Sequence, residues 1–243
     1  AHTLTISANV TLEVASGRTL TIAGAITKSG AIDGAGNVIF SSIAAYDATS
    51  DNSDIGSAIA SDRTLSKYNT SGTTKVIIAS GEALTINATK TLTIASGVTL
   101  QVASGRTLTI ASTGTLTSTA GIVENDGTIA CSDTITSGSN FTGSSGLVEF
   151  TSVAAYDASV ESGDRLGTSL GGNRTIANYM GVGTTKVILS GSETLTTSTH
   201  TLIISANVTL EVASGRTLTI ASTGTLNSDA GTVENDGTIA CSG

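Results

Sequence analysis

Apolar and polar residues alternate through HTLTISANVTLEVASGRTLTIA, residues 2–23. Leu4, Ile6, Val10, Leu12, Val14, Leu20 and Ile22 fall on one face, and Thr3, Thr5, Thr11, Glu13, Thr19 and Thr21 on the other. A period of two with many β-branched residues predicts short strands. The segment returns at 200–221 with one change, Ile203 standing where Thr5 stood. Leu92, Leu100, Leu108 and Leu116 are spaced eight apart, as are Leu202, Leu210, Leu218 and Leu226. Between the strands lie SAN, ASGR, ASTG and ENDG, whose small and polar residues permit positive φ and sharp corners. Successive segments so alike favour a coil in which like strands stack on like. The predicted fold is all-β, a parallel β-solenoid with three segments and about 24 residues per turn; two segments, about 16 residues, is the other possibility.

A longer repeat overlies the short one. Residues 38–132 open VIFSSIAAYDA and close VENDGTIACS, and 148–242 open VEFTSVAAYDA and close on the same ten residues, an offset of 110. Residues 1–23 form a third, partial copy. Two stretches break the period, 44–72 and 154–183, and they hold all four tyrosines, Tyr46, Tyr68, Tyr156 and Tyr179. They are expected as lateral excursions from the coil, with a short helix around SAIASDRTLSKYN and its counterpart. The tyrosines are candidates for lateral contacts between assembled turns or for glycan recognition, with packing against the coil as the default.

The repeats GVTLQVASGRTLTIASTGTLTSTAGIVENDGTI resemble those of secreted bacterial parallel β-helix proteins, including autotransporter passengers and filamentous adhesins. The resemblance covers about two thirds of the chain and lies in stacking and corner residues. It implies an extracellular or cell-surface location and a structural or adhesive role. A start at Ala1 with no basic, apolar leader fits a secreted protein whose signal peptide has been removed.

Composition narrows the partners. The 243 residues carry 11 Lys and Arg against 19 Asp and Glu, a net charge of −8, with the cations scattered; no phosphate-binding surface for nucleic acid is expected. No apolar run is long enough for a membrane-spanning helix. Aromatics make up 3% and proline is absent, which suits close stacking and uninterrupted backbone pairing.

Candidate chemistry is sparse. Glu13, Glu124, Glu211 and Glu234 sit singly on repeated outward positions, and His2 and His200 are equivalents of one another, so no nucleophile, base and orienting acid group together. No enzyme and no cofactor is expected, with a carbohydrate-active β-helix enzyme as the remote alternative. Asp47, Asp51 and Asp54 in YDATSDNSD, with Asp157 and Asp164 in the counterpart, are weak calcium candidates, read first as solvated turn acids. Cys131 and Cys241 occupy matched positions and are read as inward-facing core residues too far apart to pair, Cys241 being free to meet another subunit. Sequons stand at Asn9, Asn69, Asn87, Asn140, Asn173 and Asn207. The recurrent TLT raises ice binding, against which stands the plain suitability of threonine on a solvent-facing strand.

A solenoid has two ends with unpaired strand edges, and isolated ones are capped. Neither end of this sequence shows a cap. The expectation is therefore a filament subunit joined head to tail: after Ile239, Cys241 and Ser242 of one copy come His2, Thr3, Leu4, Thr5 and Ile6 of the next. A monomeric adhesin or a glycan- or ice-binding solenoid is the alternative.

Overall fold

The computed structural model describes residues 4–49, 54–118, 120–136, 140–181, 183–228 and 230–242. They form a parallel β-solenoid of about ten turns with two short helices. Every strand pairing is parallel, and three strands make one turn.

The first turn is β1 (Leu4–Ile6), β2 (Thr11–Glu13) and β3 (Thr19–Ile22); the second is β4 (Ile26–Lys28), β5 (Ala31–Asp33) and β6 (Asn37–Phe40). Helix α1 (Ile43–Asp47) follows, and the coil resumes with β7 (Ala58–Ile59), β8 (Arg63–Leu65) and β9 (Thr73–Ile78). The next turn is β10 (Leu84–Ile86), β11 (Thr91–Ile94) and β12 (Val98–Val102), and the one after is β13 (Thr107–Ile110), β14 (Thr115–Thr117) and β15 (Ile122–Asn125). Then come β16 (Thr128–Cys131), β17 (Thr134–Ile135), β18 (Phe141–Thr142) and β19 (Leu147–Phe150). Helix α2 (Val153–Ser159) is followed by β20 (Arg174–Ile176), β21 (Thr184–Leu189), β22 (Leu195–Thr196) and β23 (Thr201–Ile204). The last strands are β24 (Val208–Val212), β25 (Thr217–Ile220), β26 (Thr225–Asn227), β27 (Thr232–Asn235) and β28 (Thr238–Cys241).

Register sets a turn of 24 residues where the coil is regular, with Leu84 on Leu108 and Leu92 on Leu116. Apolar side chains therefore form ladders along the axis. Leu92, Leu100, Leu108 and Leu116 are all fully buried, so the eight-residue spacing marks the three inner faces of successive turns. Corners turn on residues such as Gly105, whose φ of +71° a side chain would strain, and Gly127, where a Cβ would come within 2.4 Å of the Arg106 carbonyl oxygen.

The two excursions differ from expectation in extent and content. Ala58–Ile59 and Arg63–Leu65 pair with β10 and β11, so part of the second half of 44–72 belongs to the coil. No helix forms around SAIASDRTLSKYN, because those residues are needed as strands. The helices lie earlier, directly after Phe40 and Phe150. Ser42 and Ser152 cap them, each hydroxyl accepting from the backbone N–H three residues on, at 3.0 Å. A carboxylate from the neighbouring turn completes each cap: Glu82 accepts from Ile43 and Ala44, and Glu193 from Val153 and Ala154.

The second excursion also plugs the sheet that stops beneath it. Ile135 on the free edge of β17 donates its N–H to Ser159 Oγ at 2.9 Å, and Tyr179 donates its hydroxyl to the Ile135 carbonyl at 3.3 Å. Helix α2 thus gives the strand edge what a further strand would have given. The long repeat spans thirteen strands, β6 to β18, one more than four whole turns. Consequently β6 belongs to the six-stranded sheet and β19 to the eight-stranded one, and the two excursions leave from different faces of the coil.

Candidate assembly interface

The first described turn is paired on one side only: β1 with β4, β2 with β5 and β3 with β6. The last turn mirrors it, with β26 on β23, β27 on β24 and β28 on β25. Each end therefore presents three strand edges whose outer backbone groups have no strand partner among the described residues.

The apolar ladders reach these edges incompletely covered. Leu4 is 40% exposed and Val10 50%, while Leu12 and Leu20 are only half-buried. At the other end Leu226, Val233 and Ile239 are half-buried, whereas their counterparts in the first repeat, Leu116, Val123 and Ile129, are fully buried. The same sequence motif is thus dry inside the coil and wet at its end. Of the residues expected at the junction, Ile6 is already 4% exposed and cannot gain much; Ser242 and Cys241 are exposed, and His2 and Thr3 lie outside the described residues.

Cys131 is buried, and loss of hydration pushes its thiol up to about 12, which keeps it inert. Both cysteines are free, as their positions on different turns require.

All four tyrosines pack against the coil. Tyr46 and Tyr156 are buried in the helices, edge-on to Phe40 and Phe150 at 5.2 and 5.5 Å between ring centres. Tyr68 and Tyr179, half-buried, take the other side of the same phenylalanines at 5.0 and 5.1 Å. Each Phe sits between two Tyr, forming a small aromatic core under each excursion. Burial drives the Tyr156 and Tyr179 hydroxyl pKa values well above the usual phenol value.

The acids of the excursions serve as clamps. Asp47 accepts from the N–H groups of Ile55 and Gly56, both at 2.8 Å, and Asp157 from those of Leu166 and Gly167, both at 2.7 Å. Desolvation raises the Asp47 pKa above the ordinary carboxylate value. Asp54 lends its carbonyl to Arg63, Asp164 donates its backbone N–H to Glu161, and Asp51 lies outside the described residues. Among the described residues no group of three or more His, Cys, Asp and Glu is placed to hold a metal.

Of the sequons, Asn69 is 2% exposed and donates its amide to the carbonyls of Gly34 and Gly36, which removes it as a glycan acceptor in the folded chain. Asn87 is half-buried; Asn9, Asn140, Asn173 and Asn207 are exposed.

Three of the four repeated outward carboxylates are held in ion pairs: Glu124 with Lys75 at 2.7 Å, Glu211 and Glu234 with Lys186 at 2.6 and 2.8 Å. The sequence pointed to Leu4 and Ile239 among these incompletely covered end residues, but not to Val10, Leu12, Leu20, Leu226 and Val233. The signal was available, since the identity between 2–23 and 200–221 covers β2 and β3 as well as β1. Nor did the sequence point to Glu82, Glu193 and Ser159, whose partners are remote in sequence.

No helix among the described residues is long and apolar enough to cross a membrane. Compared with known proteins, the chain matches no family model, no curated protein and no solved structure. Geometry and sequence alone therefore carry the functional reading.

Proposed function

We propose that the protein is the structural subunit of an extracellular filament, copies stacking end to end so that one coil runs through each junction. The half-covered apolar ladder at both ends carries this reading. The internal precedent is β17 on β14, where Ile135 lies over Leu116. One repeat further on, Leu226 has the same place and no strand above it among the described residues. Leu4 of the next copy fits there, and the same register sets Leu12 on Val233 and Leu20 on Ile239.

The two surfaces match because the chain's opening strands have the sequence of interior strands. The contact is heterologous and does not close on itself, so it propagates. Covering each half-exposed aliphatic side chain contributes about 1 kcal/mol. Seven of them roughly offset the ~4–15 kcal/mol lost on association, which leaves the backbone ladder and the charges to decide junction strength.

Sedimentation and electron microscopy of the purified chain test this. Filaments are expected, and Leu12→Asp should reduce them to monomers. A wild-type chain that stays monomeric at high concentration would instead favour an adhesive or ligand-binding solenoid.

A further inference from the structure

Outside the apolar seam, the same junction sets like charges against one another. Within the coil Glu211 lies in register with Glu234, and Lys186 holds both. The corresponding row of the first repeat is milder. There Gln101 takes the place of Glu211 and donates its amide to Glu124 at 2.8 Å; Lys75 neutralises Glu124; and the residue in register beyond it is Thr142.

At the junction that neutral neighbour is replaced by an acid. The register that places Leu12 on Val233 places Glu13 of the incoming copy beside Glu234. Beyond Glu13, in register on β5, stands Asp33. The joined row would read Glu211, Glu234, Glu13, Asp33 at strand spacings of about 4.8 Å, with one ammonium near one end.

Asp236, on the corner after β27, adds a negative charge. Arg216 and Arg18 stand on the corners after β24 and β2, and neither forms an ion pair among the described residues. Asp33 accepts from the Thr70 hydroxyl and backbone N–H, which holds its carboxyl below the usual range and keeps it charged. Lys67 is engaged with the Thr70 carbonyl at 2.8 Å.

Resting on the stacked junction, we propose that joining is gated by acid: Glu234 of one copy and Glu13 of the next oppose each other when ionised, and a proton shared there lets the filament grow. The sign follows from linkage. A neighbouring like charge raises the carboxyl pKa in the joined state above its value in the separate molecules. Joining therefore takes up protons, and it strengthens as pH falls into the carboxylate range.

The test uses the whole 243-residue chain, followed by sedimentation and electron microscopy between pH about 8 and 4.5. The wild-type critical concentration should fall about tenfold or more on acidification. Glu13→Gln should assemble at pH about 8 as the wild type does in acid. Glu161→Gln, the same charge change on the second excursion, should keep the wild-type pH profile and so control for the overall net charge. Coincident profiles for the two variants, or wild-type filaments that form equally at both ends of the range, would overturn the gate while leaving stacking intact. No assembly by any variant at any pH would overturn both.

Discussion

Ile135 donates its backbone N–H to the hydroxyl of Ser159 at 2.9 Å, across the point where the four-stranded sheet stops. Ser159 is 1% exposed and passes its own proton to the Ala155 carbonyl at 2.9 Å. Ser159→Ala leaves a buried strand N–H with no acceptor. It should cost about 1–3 kcal/mol, read as a lower urea midpoint. Thr49 holds the equivalent place in the first excursion, donating to the Ala45 and Tyr46 carbonyls. Ser159→Thr should therefore be the milder change.

Asn125 and Asn235 are the same residue of the same motif in two settings. Asn125 is fully buried, donating to the Leu147 carbonyl at 3.1 Å and accepting from Gly127 N–H at 3.2 Å, whereas Asn235 is exposed on the last turn. Asn125→Ala should destabilise the chain by about 1–3 kcal/mol. Asn235→Ala should change the stability of the isolated chain by less than about 0.5 kcal/mol. Urea unfolding at low protein concentration compares them.

Much of the coil was legible because its signal is local. Leu92 to Leu116 and their alternating threonines state strand, face and turn length together, and those four leucines are fully buried. The excursions were not legible for the opposite reason. Ala58–Ile59 and Arg63–Leu65 are too short to show alternation, and IAAYD is too short to show a helical period. Their structure is fixed by partners far along the chain: Glu82 for α1, Phe40 and Phe150 for the tyrosines. The candidate interface was half legible. Its proposed position followed from the repeated segment, while the proposed charge conflict needed the register that sets Glu13 beside Asp33 and Glu211 beside Glu234.

Glu193 satisfies three N–H groups at once, those of Val153, Ala154 and Ser190, at 3.0, 2.8 and 3.2 Å. Glu193→Ala should loosen α2 and the segment after it, with a loss of about 1–3 kcal/mol and faster amide exchange confined to 153–176 and Ser190. Exchange measured by mass spectrometry would show whether the rest of the coil keeps its protection.

The two cysteines report on opposite conditions. Cys131, buried with its thiol pushed up to about 12, should resist alkylation until the chain unfolds. Cys241 is exposed and should react at once in monomers. In filaments the register lays Ile22 of the next copy over Cys241, so its labelling should slow by an order of magnitude or more as exposure is lost. Equal labelling rates before and after assembly would place the contact elsewhere.

Helical reconstruction of the assembled chain by electron cryomicroscopy tests the junction most directly. The 28 described strands and the bridge at Ser169 make nearly ten turns, so each copy should add about 46 Å of axis and sit one third of a turn from its neighbour. An unbroken ladder through the junction is expected, with Leu4 over Leu226 and Glu13 beside Glu234. Copies joined side by side through their excursions, or single particles with both end turns open to solvent, would contradict it.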